Sequence, residues 1–304
     1  MKTYIAIGLL FLFLFACTET TPTEVTLTPF AGGTEGVVIS FDNFPKSVFD
    51  QGKNQFDVFV KLENRGEKEI PKEDVRVKLT GFEQFDTQGV SQKNPDENLV
   101  GVKKDPQGNV VPGIPQQLDF TANYLSPVHT IAEFSVQASA CYKYETNAVS
   151  KMCVRQDLQN PAAGGLCIVD ETKPSYSSGA PVQISKIVEQ ASGSSKIQFS
   201  FDVTHTGGGI IYRLGHDCSS LRALQNKVML KVDTGKVGST CTQLKTQEGT
   251  AVSGEIDLTG GARTIYCSIP IEKKSDYEFP ISMNAQYTYE ITTPVQQLTV
   301  KEST

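Results

Sequence analysis

The sequence contains no tryptophan, and it has only 3 histidines and 4 methionines among 304 residues. So few histidines argue against a histidine-rich metal centre. The 28 Lys and Arg residues are outnumbered by 34 Asp and Glu residues, and no basic run offers the clustered cations that nucleic-acid phosphates require. The nucleophile motif Gly-x-Ser-x-Gly, the zinc motif His-Glu-x-x-His and the Asp-x-Asp-x-Asp-Gly calcium loop are missing. We therefore expect no enzyme, no nucleic-acid binder, no metal and no cofactor, although a calcium ion held by loop carboxylates stays open.

No apolar run reaches the ~18 residues needed to cross a bilayer. The longest lies at the N-terminus, where Lys2 precedes the apolar run Tyr4–Phe15. As a helix at ~1.5 Å per residue, that run would span only ~18 Å, which is typical of a signal peptide over residues 1–16. It ends at Leu14-Phe15-Ala16-Cys17, which resembles a lipobox, although Phe15 is larger than the usual residue. We expect cleavage before Cys17 and lipidation of that cysteine; the alternative is an ordinary secretory signal.

Residues 17–29 are rich in Thr and Pro and lack apolar periodicity, as in an extended tether. A lipid-bearing Cys17 would then place the protein on the extracellular face of the cell membrane. Because the body of the chain is acidic, contact with anionic lipid is not expected to hold it there without the covalent anchor.

Six further cysteines form an even number, which in an exported chain predicts three disulfides. No Cys-x-x-Cys occurs, so neither a zinc ribbon nor a redox pair is indicated. Cys141 and Cys153 are equidistant from Asn147, so a hairpin turning at Asn147 would place them opposite each other. Neighbouring alternating segments favour a second bond between Cys241 and Cys267. The remaining pair is then Cys167 with Cys218.

Alternating apolar and polar residues dominate the body of the chain and predict half-buried β-strands. Four clear examples are residues 56–63, 75–79, 197–203 and 228–232. Residues 219–226 could form at most a turn or two of helix. Parallel α/β folds need longer crossover helices, so we expect an all-β protein built from antiparallel sandwiches.

The two halves of the chain resemble each other. Ala140–Glu145 matches Ala285–Glu290, and Glu133-Phe134 matches Glu278-Phe279 at the same offset along the chain. This ordered similarity predicts a tandem duplication. We expect one immunoglobulin-like sandwich over residues 30–156, a linker over 157–175 and a second sandwich over 176–301.

One stretch of the first half carries a family resemblance. Phe56–Glu63 is an alternating strand followed by Asn64-Arg65-Gly66, and a second alternating strand begins at Val75. This order resembles the CARDB-type immunoglobulin-like domains of archaeal and bacterial surface proteins, including S-layer-associated ones. The match is confined to this stretch, and the second half departs from it with His205-Thr206-Gly207. The resemblance implies an adhesion, spacer or ligand-presenting module. We expect Gly66 to serve a turn that needs a positive φ.

Three further features are candidates for binding. The polar insertion at residues 84–117 reads as a surface loop that folding does not need and that could bind a partner. Within it, the Pro-Gln-Gly sequence predicts that Asp105–Asn109 forms the turn of a small hairpin. Tyr142, Tyr144, Tyr287 and Tyr289 could stack on sugars, but their equivalent places in both halves favour a packing role. His216-Asp217-Cys218 favours a disulfide beside a loop over a catalytic or metal site. The candidate binding residues of the insertion are Asn94, Asp96, Lys103, Lys104, Asp105 and Asn109.

These features predict a non-catalytic cell-surface lipoprotein that acts in adhesion, envelope structure or partner binding. Its expected partners are the membrane, through the N-terminal lipid, and envelope proteins or glycans. The alternative is a carbohydrate- or solute-binding surface lipoprotein, which would need a concave site.

Overall fold

The protein is all-β. A computed structural model describes residues 28–52, 54–159, 165–218, 221–272 and 275–303. Its only helical elements in these ranges are two single 3₁₀ turns, Lys72–Asp74 and Arg222–Leu224. No helix in the described ranges is long and apolar enough to cross a membrane. The signal peptide, Cys17 and most of the tether lie outside the described residues.

The described residues form nine strands in the first half of the chain and twelve in the second. The first nine are β1 (Val37–Asp42), β2 (Ser47–Phe49), β3 (Phe56–Asn64), β4 (Val75–Thr80), β5 (Gln92–Lys93), β6 (Lys103–Lys104), β7 (Val110–Val111), β8 (Gln116–Ala122) and β9 (Ile131–Val154). The other twelve are β10 (Glu171–Lys173), β11 (Tyr176–Ser177), β12 (Val182–Ser192), β13 (Lys196–His205), β14 (Ile210–Tyr212), β15 (Lys227–Asp233), β16 (Thr240–Cys241), β17 (Thr246–Glu248), β18 (Ala251–Asp257), β19 (Ala262–Pro270), β20 (Tyr277–Thr292) and β21 (Gln296–Lys301).

One large sheet runs through both halves of the chain. Its path is β17-β18-β15-β20-β9-β21-β2, with β4, β5, β11 and β14 paired alongside. A three-stranded sheet (β1-β3-β8) and a five-stranded sheet (β10-β12-β13-β19-β16) pack against it. Strands β6 and β7 form a separate hairpin. The two predicted domains, 30–156 and 176–301, therefore share a sheet.

The large sheet is centred on the antiparallel pair β9 and β20. Residues 139–154 of β9 pair with residues 277–292 of β20, and residues 131–136 pair with β21. Lys143 lies opposite Thr288, which is its equivalent in the alignment of the two halves. Each half thus contributes one long strand, and the two strands pair antiparallel with the equivalent residues Lys143 and Thr288 directly opposite each other.

The alternating segments are strands whose apolar residues face the core. Val58, Val60 and Leu62 of β3 are fully buried, and the same alternation holds in β4, β13 and β15. Residues 219–226, where they are described, contain only the 3₁₀ turn Arg222–Leu224. These predictions from local periodicity are confirmed.

The cysteine pairing differs from the expected one at two of three bonds. Cys241 is joined to Cys267 as expected. Cys141 is joined to Cys218, and Cys153 to Cys167, so the predicted bonds Cys141–Cys153 and Cys167–Cys218 are wrong. The hairpin turning at Asn147 does not form, because residues 131–154 continue as one strand. Twelve residues of a single strand separate two side chains by about 40 Å.

The segment 157–175 is more ordered than the expected linker. Its strand β10 pairs with β12, and Cys167 ties it to β9. Its Lys173 is buried, and the ammonium lies 3.0 Å from the buried carboxylate of Glu189. In its described part this segment is therefore attached to the core of the second half.

The insertion at residues 84–117 also contributes to the core. Leu99 is almost fully buried and forms an isolated bridge with Ile70, and Phe85 packs among aromatic rings. The expectation that the whole segment is dispensable is therefore wrong. The expected turn at Asp105–Asn109 is present and closes the hairpin of β6 and β7.

Candidate functional site

Four tyrosines meet at the centre of the large sheet. Tyr142 and Tyr144 of β9 lie opposite Tyr289 and Tyr287 of β20, and their ring centroids are 5.8 Å and 6.3 Å apart across the pair. All four side chains are buried. They therefore cannot act as the exposed aromatic strip of a sugar site, and the packing role is confirmed.

Each tyrosine hydroxyl binds the backbone of a neighbouring segment. The hydroxyl of Tyr142 accepts a hydrogen bond from the Val37 N–H (3.0 Å), and that of Tyr287 accepts one from the Val182 N–H (3.3 Å). Val37 and Val182 begin strands β1 and β12 of the two smaller sheets. Burial raises the pKa of the Tyr142 and Tyr287 hydroxyls far above the ordinary value, so they remain protonated. Each is an uncharged hydrogen-bond partner that connects the large sheet to one of the smaller sheets.

The second tyrosine of each half is bound at a glycine-containing corner. The Tyr144 hydroxyl accepts from the Lys68 N–H, and the Tyr289 hydroxyl accepts from the Gly209 N–H at 2.8 Å. A Cβ atom at Gly66 would overlap the Tyr144 hydroxyl, and one at Gly207 would overlap that of Tyr289. Neither glycine has a positive φ, so the expected reason for Gly66 is wrong. Close approach of the tyrosine requires it.

In the His216-Asp217-Cys218 segment, the aspartate and the cysteine form structural contacts with the first half of the chain. Cys218 is bonded to Cys141, and Asp217 forms an ion pair with Arg76 at 2.9 Å. This places a disulfide and an ion pair between the two halves of the chain. Across the described ranges, no three His, Cys, Asp or Glu side chains converge as metal ligands.

The six candidate binding residues of the insertion do not converge on one site. Asn94 donates to the Lys72 carbonyl at 3.1 Å, whereas Asp96 has an exposed side chain. Lys103 lies 3.8 Å from Glu69. These three residues surround the 3₁₀ turn and the base of the hairpin.

The other three residues shape the hairpin. Asp105 accepts from the backbone and side chain of Asn109, both at 2.8 Å, and these bonds lower the pKa of the Asp105 carboxyl. Lys104 donates to the carbonyl (3.1 Å) and hydroxyl (2.6 Å) of Thr28. The hairpin is therefore attached to the first described residue of the tether.

A second surface was missed by the sequence reasoning. The outer face of β12, β13, β19 and β16 forms an open cavity of about 520 Å³. Tyr266 is 61% exposed there and lies opposite Ser200, while Gln198 lies opposite Gln190 and Ser268. The lining is uncharged. Tyr266 and Ser268 alternate with buried Cys267 in the sequence, and this alternation could have indicated that Tyr266 lies on the outer face of a strand.

No protein-family model and no curated protein matches this sequence. Among solved structures, the envelope protein VP37 of White Spot Syndrome Virus is similar, with a TM-score of 0.25 and 8% identity. The alignment covers 49% of this chain and 98% of that chain. A similarity at this TM-score carries no argument about function.

Proposed function

We propose that this protein is a non-catalytic, lipid-anchored protein of the extracellular surface, built as two immunoglobulin-like sandwiches fused side by side. It acts as a stiff body that presents its surfaces to envelope partners. The observation that carries this proposal is the pairing of β9 with β20 and β21 across both halves. A sheet shared by two sandwiches resists the hinge motion that a flexible linker would allow.

The fusion of two related sandwiches is supported by matched contacts. The tyrosine pairs, their hydroxyl bonds and their glycine corners occur in both halves in the same order. In both the Tyr142–Val37 and the Tyr287–Val182 bond, the tyrosine follows its partner by 105 residues. A duplication explains why the same internal hydrogen bonds occur in both halves, and it agrees with the sequence match between Ala140–Glu145 and Ala285–Glu290.

Export is supported by the three disulfides, because such bonds persist in oxidising compartments and not in a reducing cytosol. Lipidation is proposed from the sequence, namely the short apolar run Tyr4–Phe15, the pattern Leu14-Phe15-Ala16-Cys17 and the Thr- and Pro-rich tether. Cys17→Ser should abolish lipidation, so the protein should leave the membrane fraction or retain its uncleaved leader. Thr18→Ser is the matched control and should stay membrane-bound. A Cys17→Ser protein that is processed and membrane-bound like the wild type would contradict the anchor.

The presenting role is tested by crosslinking in living cells. A photo-crosslinking residue at exposed Asp96 should trap an envelope protein of defined mass, and the same residue at buried Leu99 should trap none. Failure to trap any envelope component from several exposed positions would contradict partner binding.

The uncharged cavity around Tyr266 favours a second candidate function, the binding of a neutral glycan. An exposed aromatic ring can stack on a sugar face, and the glutamine amides can bond its hydroxyls. On a glycan array, the wild type should bind neutral oligosaccharides and Tyr266→Ala should not. Tyr277→Ala, which removes a ring outside this cavity, is the control.

A further inference from the structure

The β6–β7 hairpin and the segment after it expose an unusual run of apolar side chains. Val110 is 57% exposed, Val111 48% and Ile114 74%. Pro112 and Pro115 are exposed between and beside them. Apolar residues gathered in this way on a surface mark a contact with another apolar phase.

The position of this run is determined by the fold. Gly113 lies so close to the Val100 carbonyl oxygen that a Cβ atom would overlap it, which seats the segment against the body of the first half. At the other end, Asp105 accepts three hydrogen bonds from Gln107 and Asn109 and closes the turn. Val110 and Val111 lie between these two points and Ile114 directly follows Gly113, so the fold holds all three exposed side chains in place.

The same hairpin holds the end of the tether. Lys104 donates to the carbonyl and hydroxyl of Thr28. Lys104 lies directly opposite Val110, and opposite residues of an antiparallel pair project to the same side, with Cβ atoms about 5 Å apart. The chain that leads back towards Cys17 is thus bonded to the residue that lies opposite Val110.

We propose that this hairpin is a second, direct contact with the lipid bilayer, with Val110, Val111 and Ile114 seated in the headgroup region. This inference rests on the proposed lipid on Cys17. The chain from Cys17 to Thr28 is short and spans at most about 38 Å when fully extended. The anchor therefore keeps the hairpin close to the membrane from which the tether leaves.

The chemistry of the hairpin suits a zwitterionic surface. Apolar side chains enter the headgroup boundary to a depth of about 5–10 Å, and Lys103 can extend its ammonium towards lipid phosphate. The chain as a whole carries a net charge of −6, so a strongly anionic surface would repel it. Two attachments, one covalent and one by the hairpin, would fix the orientation of the body above the membrane.

The absence of tryptophan allows a clean test. The lipid-bearing full chain is purified with Ile114→Trp and placed in phosphatidylcholine vesicles whose acyl chains carry bromine near the headgroups. For a side chain within about 10 Å of the interface, we expect emission to fall about twofold and to shift to shorter wavelength. Tyr266→Trp, on the outer face of the five-stranded sheet, is the control and should keep its emission. Val111→Trp is a second probe and should behave as Ile114→Trp does.

Each outcome decides the proposal. Quenching at residues 111 and 114 but not at 266 supports it. Vesicle-bound protein without quenching at 111 or 114 overturns the hairpin contact and leaves the lipid anchor intact. Equal quenching at all three positions overturns it as well, since the contact would then be unspecific. A chain that does not float with the vesicles overturns the anchor and the hairpin contact together.

Discussion

Tyr142 and Tyr287, at equivalent places in the two halves, make the same bond. Each is buried in the central sheet, and each hydroxyl accepts from the backbone N–H of the first residue of a strand in a covering sheet, at 3.0 Å and 3.3 Å. The three-stranded and the five-stranded sheet are thereby joined to the large sheet by equivalent hydrogen bonds.

Removing one hydroxyl should weaken the fold. Tyr142→Phe leaves the buried Val37 N–H without its partner, which costs about 2 kcal/mol of unfolding free energy. Tyr287→Phe should cost a similar amount, although Thr146 also contacts that hydroxyl. Urea unfolding with the disulfides intact measures both. Tyr266→Phe, at an exposed ring, is the control; a loss there as large as at Tyr142 would contradict the assignment.

The glycine corner should tolerate no side chain. Gly207→Ala places a Cβ atom against the Tyr289 hydroxyl, and such overpacking costs about 1–3 kcal/mol. The next residue supplies a matched control, because a Cβ atom at Gly208 meets nothing within 4 Å. Gly208→Ala should change the stability by about 0.5 kcal/mol or less. Equal losses in the two variants would show that backbone flexibility, and not the tyrosine, selects glycine here.

The buried Glu189 should make stability depend on pH. Burial raises its pKa to about 7, although Lys173 and the Cys153 N–H oppose the shift. A raised pKa in the folded state means that the contribution of this carboxyl is complete below its ordinary pKa near 4.5 and is lost as pH rises towards 7. The stability of the wild type relative to Glu189→Gln should therefore fall over that range.

Comparing the wild type with Glu189→Gln cancels the effect of the other titrating groups on stability. Burial lowers the pKa of His205, so His205 acts in the opposite direction, with stability lost as pH falls below about 6.5. This effect is common to both proteins and cancels in the difference. If the unfolding free energy of the wild type relative to Glu189→Gln instead rose with pH, the ion pair with Lys173 would outweigh burial and lower the Glu189 pKa.

The disulfides should differ in their contributions. Cys141–Cys218 closes a loop of 77 residues and Cys153–Cys167 one of 14. On the chain-entropy account, removing the first should cost about 4.5 kcal/mol and removing the second about 3 kcal/mol. Paired Cys→Ser variants, compared by denaturant unfolding, measure this order. Peptide mapping of the unreduced protein should join Cys141 to Cys218; a peptide joining Cys141 to Cys153 would contradict the structure.

Local patterns predicted the strands well. The alternation in residues 56–63, 75–79, 197–203 and 228–232 defines a buried face, because side chains of a strand point to opposite sides in turn. The turn at Asp105–Asn109 followed from a similarly local argument, whereas the packing role of the four tyrosines followed from their equivalent places in the two halves. The cavity around Tyr266 and the binding of Thr28 by Lys104 could not be predicted, because each depends on which strands become neighbours.

The amino-acid sequence by itself determined the all-β class, the inward face of each strand and an even set of cysteines suited to export, because these depend on period and composition. Only the tertiary structure decided the cysteine pairing and the union of the halves. Asn147 suits a turn, yet it lies within β9, opposite Asn284, whose side-chain amide N–H donates to the side-chain oxygen (Oδ1) of Asn147 at 2.8 Å. A long partner strand satisfies the backbone of residues 139–154, so continuing the strand is favoured over turning, and Cys141 is carried away from Cys153 to meet Cys218.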